Sequence, residues 1–491
     1  MNARIWEEFY ALCQVPHPSG HLSAMRSYIL DKVKKAGLIA LVDEVGNILV
    51  QVPATAGWQE KAKRQGRDPQ SVTTLQAHID MVPQANHDVS FNFQTDPLQV
   101  HEVEGLVMAQ GTTLGADNGI GVAAMLALLP SDASAPETVV HGPLELLFTV
   151  DEEVGMAGVR GMQPGWLTGT QLINLDTEEE GQLMVGCAGA VDVTASFRYK
   201  LVHGAPDGDQ AVKLTLGGLK GGHSGMDIHL GRGNACKLMT RFLKHAVVCF
   251  EARLASFQGG GVRNAIPREA TAILTIPAEV VEDLQAEVAY YEELFRYELR
   301  GVDEGITFRA TLVDTPDYLL PEEVQDDILN SLEAAPDGLF RFSPDLPNVV
   351  ETSSNLAAVI MKEEGESGHC SVIFMVRSMN EEMKRALSSR IQSCFILGGA
   401  RVDFSAAYSG WEQSPSSPLP QRIVAAYRSL FATDMKVNSV HCGLECGVLH
   451  DLYPDLPIVS FGPTIHHPHS PEESVEVASV DKFWQLLQEV I

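Results

Sequence analysis

Short strand-forming runs alternate with a helical pattern along the first part of the chain. The runs at residues 72–77, 144–150 and 172–175 are closed by turn signals, which is typical of buried strands. Residues 120–129 show helical periodicity between two of these runs. This alternation of strand and helix predicts a mostly parallel mixed sheet flanked by helices.

The same patterns predict further elements on both sides of these runs. Residues 4–15 and 21–36 have helical periodicity, and two short strands follow at 39–43 and 47–52. Residues 54–71 are polar and basic, so we expect a flexible loop there. Towards the end of the chain the strand–helix alternation returns, with these expected elements: a helix at 421–431, a strand at 458–461 and a helix at 480–491.

The pattern changes near Ala188 and stays different until about Tyr408. Residues 191–197 alternate apolar and polar side chains, as a half-buried strand does. Long helical patterns and further two-sided strands follow. We interpret residues 188–408 as an inserted α/β domain with an antiparallel sheet. Residues 1–187 and 409–491 then form one discontinuous domain around that insertion.

Acidic residues and histidines follow the ends of the strands of the discontinuous domain. In open α/β sheets, ligands bind at the carboxyl ends of the strands. Each residue also has an ordinary explanation, such as a helix N-cap, a solvated acidic turn or a surface loop. Taken together they predict one cluster of metal ligands above one sheet. The candidates are His78, Asp80, Asp117, Glu152, Glu153, Asp176 and His469.

The chemistry of a two-metal hydrolytic site suggests how this cluster is divided. Two metal ions need one carboxylate that bridges them and one or two terminal ligands each. We expect Asp117 to be the bridge, with His78 and Asp176 completing one site, and Glu153 and His469 the other.

Two carboxylates of the cluster are left for other tasks. Asp80 lies two residues after His78, where it could orient that imidazole. Adjacent strand residues point in opposite directions, so Glu152 and Glu153 cannot both be ligands unless the turn re-aims one of them. The other could act as a general base that accepts a proton from water. These residues alone do not decide which of the two is the base.

Charge and composition restrict the partners. The 491 residues carry a formal net charge of −29, which argues against nucleic acid and anionic membranes as partners. No apolar run approaches 18 residues, and the N-terminus lacks the features of a signal peptide, so we expect a cytoplasmic protein. The eight cysteines are scattered, and buried thiols explain them better than disulfides or a metal site at Cys442 and Cys446.

The set of motifs resembles a known family over essentially the whole chain. The motifs are His-x-Asp at 78–80, Gly-x-Asp-Asn-Gly at 115–119, Glu-Glu-x-Gly at 152–155, Asp176, and His-Ser-Pro-x-Glu at 469–473. Together they resemble the di-zinc exopeptidases that include carboxypeptidase G, peptidase T and carnosinase. Chain length and the segments 221–225, 263–267 and 443–447 are most similar to the bacterial cytosolic aminoacyl-histidine (Xaa-His) dipeptidases of that family.

The resemblance implies a function and a role for each residue. It implies hydrolysis of dipeptides, preferentially Xaa-His such as carnosine, by metal-activated water. It assigns Asp117 as the bridge, Glu152 as the base and Glu153 as a ligand, and it implies a cis peptide bond after Asp117. The two ions are expected to be Zn²⁺, although His and carboxylate sites also accept Co²⁺ and Mn²⁺. A homodimer is expected.

In the inserted domain, three residues occupy positions that resemble substrate contacts of the family. They are His223, Asn264 and Arg377. A guanidinium matches a free carboxylate with two hydrogen bonds, so Arg377 could hold the C-terminus of a dipeptide. The insertion is therefore interpreted as a lid over the metal centre.

Two other functions compete with this one. The same fold could carry a broad-specificity dipeptidase or a deacylase of N-acyl amino acids, and physical reasoning from the residues does not separate these from an Xaa-His dipeptidase. A non-catalytic, metal-stabilised binding protein is the third alternative. The presence of Glu152 beside a full ligand set argues against it, because a scaffold needs no free base.

Overall fold

The structure is a computed structural model that describes residues 3–130 and 139–491. Within these residues no helix is both long and apolar enough to cross a bilayer. The described helices are α1 (Ala3–Leu12), α2 (Ser23–Lys35), α3 (Trp58–Gln65), α4 (Ala116–Ala127), α5 (Ala157–Gly161), α6 (Ala235–Phe250), α7 (Val281–Glu298), α8 (Glu322–Ala334), α9 (Glu381–Leu397), α10 (Pro418–Phe431), α11 (Glu445–Leu452) and α12 (Val477–Val490).

Two short 3-10 helices, Ile228–Leu230 and Ala278–Val280, complete the helical elements of the described chain. The described strands are β1 (Ala40–Val42), β2 (Ile48–Val52), β3 (Thr73–His78), β4 (Val100–Val103), β5 (Leu106–Ala109), β6 (Leu144–Thr149), β7 (Gln171–Asn174), β8 (Gln182–Cys187), β9 (Gly189–Lys200), β10 (Val202–His203), β11 (Asp209–Gly217), β12 (Gly222–His223), β13 (Arg253–Gly260), β14 (Ala265–Ile266), β15 (Ala270–Pro277), β16 (Thr307–Val313), β17 (Tyr318–Leu319), β18 (Gly338–Phe342), β19 (Val350–Glu364), β20 (Ser367–Ser378), β21 (Arg401–Tyr408), β22 (Trp411–Glu412), β23 (Lys436–Val440), β24 (Ile458–Ser460), β25 (Ile465–His466) and β26 (Ser474–Glu476).

These elements form two compact units. The first contains the described residues of Met1–Gly186, Trp411–Ser439 and Leu444–Ile491. The second contains Cys187–Gly410 together with the short segment Val440–Gly443.

The first unit is built on a mixed sheet with the strand order β1-β2-β6-β3-β7-β24-β8-β22, and β23 pairs with β8. The centre is parallel, because β3 pairs in parallel with both β6 and β7, and β24 pairs in parallel with β7. The edges pair antiparallel, as in β1 with β2 and β2 with β6. The predicted fold class, a mixed α/β sheet with helices, is confirmed. The parallel strands lie at the centre of the sheet.

A small sheet in the same unit connects the end of the chain to its first third. Its order is β25-β26-β5-β4, and β26 pairs antiparallel with β5. The strands β4 and β5 were not predicted from the sequence. Because β25 pairs antiparallel with β26, both ends of the intervening segment, which contains His469, are held at this sheet.

The second unit contains a long antiparallel sheet with the order β16-β11-β15-β13-β19-β20-β9-β21, and β18 pairs with β19. The predicted antiparallel sheet of the insertion is therefore present. Its apolar core joins Val212, Leu214 and Phe374 of the sheet to Phe242 of α6 and Phe395 of α9. Burial of such side chains is the main driving force for packing helices against one face of a sheet.

The prediction of a flexible loop at residues 54–71 is wrong. Residues 58–65 form α3, in which Trp58, Lys61 and Ala62 are buried. Their spacing of three and four residues places them on one helical face, so a short amphipathic helix forms despite the polar composition. Gly57 and Gly66 flank it with positive φ values of 86° and 64°, which glycine adopts without steric cost.

Candidate metal centre

The parallel pairing of the first sheet brings two predicted residues to one edge. His78 is the last residue of β3, and its register partner in β6 is Thr149. Asp176 follows β7, the strand on the other side of β3. The carboxyl ends of parallel strands lie at the same edge, so the residues that follow them are neighbours in space.

Asp117 lies at the start of α4, which packs closely on the sheet. The close approach depends on Gly121, since a Cβ there would lie 3.0 Å from the carbonyl oxygen of Leu175 and would also meet Asn118. Asp117 is buried, with 9% of its surface exposed. The Asp117–Asn118 peptide bond is cis, as the resemblance implied.

The two carboxylate oxygens of Asp117 face two different histidines. Oδ1 lies 3.1 Å from Nε2 of His78, and Oδ2 lies 3.1 Å from Nε2 of His469. Nε2 of His78 is also 3.3 Å from Oδ1 of Asp176. Nε2 of His469 is 2.9 Å from Oε1 of Glu153. This is the arrangement expected of a bridging carboxylate between two sets of ligands.

Three groups within the described residues offer ligand atoms that all lie within 4.8 Å of one another. They are His78 with Asp117 and Asp176, Asp117 with Glu153 and His469, and His78 with Glu152 and Glu153. All the atoms are imidazole nitrogens or carboxylate oxygens, which suit Zn²⁺ and similar divalent ions. Oε1 of Glu153 is buried, and Nε2 of His469 lies beside it. The donor set therefore fits metal ions.

The turn after β6 re-aims the acidic side chains. Asp151 has a positive φ of 52°, so the alternation of a regular strand ends before Glu152. As a result Glu152 and Glu153 both have a carboxylate oxygen in the same group of possible ligand atoms. Geometry thus permits either residue to be a ligand. It does not decide which of the two is the base.

Asp80 connects this turn to His78. Its Oδ1 lies 3.5 Å from Nδ1 of His78. Its oxygens also accept hydrogen bonds from the backbone N–H groups of Glu152 (3.0 Å) and Glu153 (3.2 Å) and from the Ser19 hydroxyl (2.8 Å). The carboxylate is almost fully buried, and these contacts lower the pKa of Asp80 against the opposing effect of burial.

Electrostatics differ among the carboxyl groups of the cluster. Burial, the main cause, and the charges of Asp176, Glu445 and Glu153 raise the pKa of Glu152 well above its usual range. Burial also raises the pKa of Asp117, but hydrogen bonds to His469 and His78 outweigh it, so the net shift is downward. Hydrogen bonds to Asp117 and Glu153 raise the pKa of His469 to about 11. Among these carboxyl groups, the surroundings of Glu152 and Glu153 raise the pKa and favour a bound proton, whereas those of Asp80 and Asp117 lower it.

Sequence reasoning missed three carboxyl groups that lie at or below this cluster. Burial and the charges of Asp117 and Asp176 raise the pKa of Glu178 to about 8. Glu473 accepts hydrogen bonds from the backbone N–H groups of residues 114–117, at 2.8 to 3.4 Å, so it holds the loop before Asp117. Glu445 is fully buried under the sheet edge. The five-residue motif around Glu445 and the final Glu of the tail motif were the available signals.

The histidines next to His469 face elsewhere. His466 lies in β25, and its Nε2 is 2.8 Å from Oε1 of Glu476. Neither His466 nor His467 belongs to the three groups of possible ligands.

In the second unit, Ser224 connects the three predicted substrate contacts. His223 ends β12, and the N–H of Ser224 donates to the carbonyl of Asn264 (2.8 Å). Nε of Arg377 donates to the Ser224 hydroxyl (3.3 Å), and an Nη of Arg377 donates to the hydroxyl of Tyr408 (3.0 Å). Arg377 is only 3% exposed. Within the described residues no carboxylate forms an ion pair with it, so it is suited to bind an anion.

Comparison with known proteins defines the class of protein. The family model described as peptidase family M20/M25/M40 matches residues 74–491. The chain therefore belongs to this peptidase family, and the predicted class, a hydrolase of peptide bonds, is confirmed.

Individual relatives extend this result over nearly the whole chain. Cytosol non-specific dipeptidase of Escherichia coli (strain K12) is 41% identical over 487 residues, covering 99% of this chain and 96% of that protein. The crystal structure of aminoacylhistidine dipeptidase from Vibrio alginolyticus is 39% identical, with a TM-score of 0.88, covering 99% of this chain and 96% of that one. Aminopeptidase PepT from Bacillus cereus, 15% identical with a TM-score of 0.60 and a coverage of 100% and 97%, shares the fold.

Proposed function

We propose that the protein is a dipeptidase that uses two divalent metal ions and prefers dipeptides with a C-terminal histidine. Dipeptide hydrolysis itself follows from membership of the peptidase family and from the 41% identity to a dipeptidase over nearly the full chain. The preference for Xaa-His substrates such as carnosine is supported by the similarity to an aminoacylhistidine dipeptidase. The observation that carries the two-metal site is the placement of the two oxygens of Asp117 against two different histidines.

The ligands divide into two sets around Asp117. His78 and Asp176 complete one set, and Glu153 and His469 complete the other, in agreement with the distances among their donor atoms. Two divalent ions held there, most suitably Zn²⁺, would polarise the scissile carbonyl and make a water molecule more acidic.

Glu152 is proposed as the general base. It accepts a proton from the attacking water and passes it to the nitrogen of the leaving amino acid. A base works best when its pKa lies near the operating pH, and the burial of Glu152 among other carboxylates raises its pKa in that direction. Asp80 holds the backbone of Glu152 and thereby fixes the position of this carboxylate.

The second unit is proposed to bind the substrate and to act as a lid. Arg377, Asn264 and His223 are the candidate contacts, and a buried arginine without a carboxylate can take the C-terminal carboxylate of a dipeptide. Such a clamp would also select for short substrates, because a longer peptide places its terminal charge out of reach.

Assembly and location complete the proposal. We propose that the enzyme acts in the cytoplasm, as the name of its Escherichia coli relative says of that protein, and that it forms a homodimer. Small dipeptides are its partners, and the net charge of −29 disfavours nucleic acid and anionic membranes.

A hydrolysis panel with metal analysis tests this function. Purified protein is assayed on matched pairs of Xaa-His and non-His dipeptides and on N-acetyl amino acids, and the metal content of the same sample is measured. The proposal predicts two ions per chain, hydrolysis of dipeptides and a higher kcat/KM for the Xaa-His member of each pair. Equal rates on each pair would support the broad-specificity alternative, and faster hydrolysis of the N-acetyl compounds would support a deacylase.

A further inference from the structure

A layer of buried polar side chains lies directly below the metal-ligand cluster in the first sheet. Gln76 and Asn174 are register partners in β3 and β7, and Thr149 is the register partner of His78 in β6. Side chains alternate along a strand, so Gln76 lies on the same face as His78. Each of the three polar side chains is 0% exposed. Burial of polar groups is costly unless they are hydrogen-bonded, so each of these side chains needs hydrogen-bond partners.

Glu445, the first residue of α11, joins this layer together. Its Oε2 accepts hydrogen bonds from Nε2 of Gln76 (2.5 Å) and from Oγ1 of Thr149 (2.8 Å). Nε2 of Gln76 also donates to Oγ1 of Thr149 (3.1 Å), and Nδ2 of Asn174 donates to Oε1 of Gln76 (2.6 Å). One carboxyl group thus ties a helix from the end of the chain to three adjacent strands.

Each strand of this layer carries a residue of the cluster a few positions further on. Gln76 is two residues before His78, Asn174 is two residues before Asp176, and Thr149 is three residues before Glu152. Apolar packing tolerates small shifts, whereas a network of directed hydrogen bonds favours one arrangement. A misplacement of about 1 Å can cost on the order of 100-fold in rate.

We infer that Glu445 is a positioning residue for the hydrolytic reaction. It fixes the positions of the strand ends that carry His78, Glu152 and Asp176. The inference rests on the proposed function. The hydrogen bonds of Glu445 go to Gln76 and Thr149 and to none of the proposed ligands, so substrate and metal ions need not touch it. Its second oxygen, Oε1, is buried and without a hydrogen bond, so a glutamine can replace the side chain while its carbonyl keeps both contacts.

The same strands provide a matched control at their opposite end. Glu145 of β6 is also 0% exposed, and its carboxylate accepts hydrogen bonds from Oγ1 of Thr74 (2.9 Å) and from the N–H groups of Thr168 (3.0 Å) and Gly169 (3.0 Å). It precedes Thr149 by four residues, about 13 Å along the strand. A buried carboxyl with a purely structural role is expected to behave like Glu145.

The experiment compares Glu445→Leu, Glu445→Gln, Thr149→Val and Glu145→Leu. Melting temperature, metal content, kcat and KM for a dipeptide are measured with metal in excess, well below every melting transition. We expect Glu445→Leu and Thr149→Val to lower kcat by about 10–100-fold with little change in KM, as the loss of supporting contacts around a metal site typically does. Glu445→Gln restores turnover close to wild type. Glu145→Leu lowers the melting temperature but leaves the kcat of the folded protein unchanged.

Two results would overturn the inference. One is a kcat equal to that of the wild type in Thr149→Val and, provided that Glu445→Leu folds, in Glu445→Leu as well. The other is an equal loss of kcat in Glu145→Leu. If Glu445→Leu does not fold, Thr149→Val and Glu445→Gln decide the matter. Turnover of dipeptides by the wild-type protein in the same assay tests the proposed function separately.

Discussion

The carboxylate of Asp80 accepts a hydrogen bond of 3.0 Å from the backbone N–H of Glu152. Since the same carboxylate faces Nδ1 of His78, one buried group connects a proposed metal ligand to the proposed base. The sequence suggested only the contact between Asp80 and His78. The contact with the backbone of Glu152 explains how an irregular turn after β6 can hold a carboxylate in a fixed place.

Replacement of Asp80 by asparagine is expected to impair turnover more than folding. Asparagine keeps the shape but has one acceptor oxygen, so it cannot keep both the contacts of Oδ1 with His78 and Glu152 and those of Oδ2 with Glu153 and Ser19. We expect kcat to fall by about 10–100-fold. Asp303→Asn is a matched control, because Asp303 is a buried carboxylate that accepts from Lys220 N–H and Gly233 N–H at 2.7 Å in the second unit. The control should lose stability but keep kcat, and an Asp80→Asn enzyme with wild-type kcat would refute the assignment.

Glu152→Gln is expected to separate metal binding from catalysis. The variant cannot accept a proton, and general acid–base catalysis contributes about 10²–10⁴-fold, so kcat should fall by that factor. Both metal ions should remain when metal content is measured by elemental analysis. Glu179→Gln, at an exposed acidic position just after Asp176, is the control and should be fully active. Loss of one ion from Glu152→Gln would instead make Glu152 a ligand.

Arg377→Ala is expected to leave metal content unchanged and to reduce kcat/KM. The loss of a charge-assisted pair with the substrate carboxylate should cost roughly 1.5–3 kcal/mol. With the wild-type enzyme, amidation of the C-terminus of the dipeptide should reduce kcat/KM by a similar free-energy cost. With Arg377→Ala, the same amidation should reduce kcat/KM little further. The measurement is this double comparison of kcat/KM values. Additive losses would show that Arg377 does not hold the carboxylate.

His441 is expected to make stability depend on pH. Burial, followed by the charge of Arg377, lowers the pKa of His441 from 6.5 to about 3. Below pH 6.5 the unfolded chain therefore binds a proton that the folded protein does not, and stability falls as the pH decreases. The contribution between pH 7 and pH 5 is about 2 kcal/mol.

Comparison with His441→Asn isolates this effect from other titrating groups. The free energy of unfolding of both proteins is measured between pH 7 and pH 5. Asparagine does not titrate, so the stability of the wild type relative to the variant should decrease as the pH falls. A constant difference over this range would contradict the prediction.

The sequence predicted the parts of the fold that depend on local pattern. The strands around residues 72–77, 144–150 and 172–175 are present, because short strand-forming runs closed by turns are readable without tertiary context. The helix α3 was missed because its buried face consists of only a few residues in a polar segment. The strand β4 was missed because most of its residues are exposed, and β5 was missed because one of its partners, β26, is more than 300 residues away.

The candidate site shows the same limit. His78, Asp117, Glu153, Asp176 and His469 could be gathered from motifs, and the structure places their donor atoms together. The roles of Glu445 and Glu473 depend on contacts with segments hundreds of residues away, so the motifs that contain these residues do not disclose their roles.

The most direct test of the account is a metal titration of the metal-free protein. Chelator-treated enzyme is supplied with Zn²⁺ in steps, and dipeptide hydrolysis and bound metal are measured at each step, with Asp117→Ala in parallel. We predict that activity reaches its maximum only at two ions per chain, and that Asp117→Ala binds both ions weakly because it lacks the bridge. Full activity with one ion or none, or two tightly bound ions in Asp117→Ala, would contradict the two-metal mechanism.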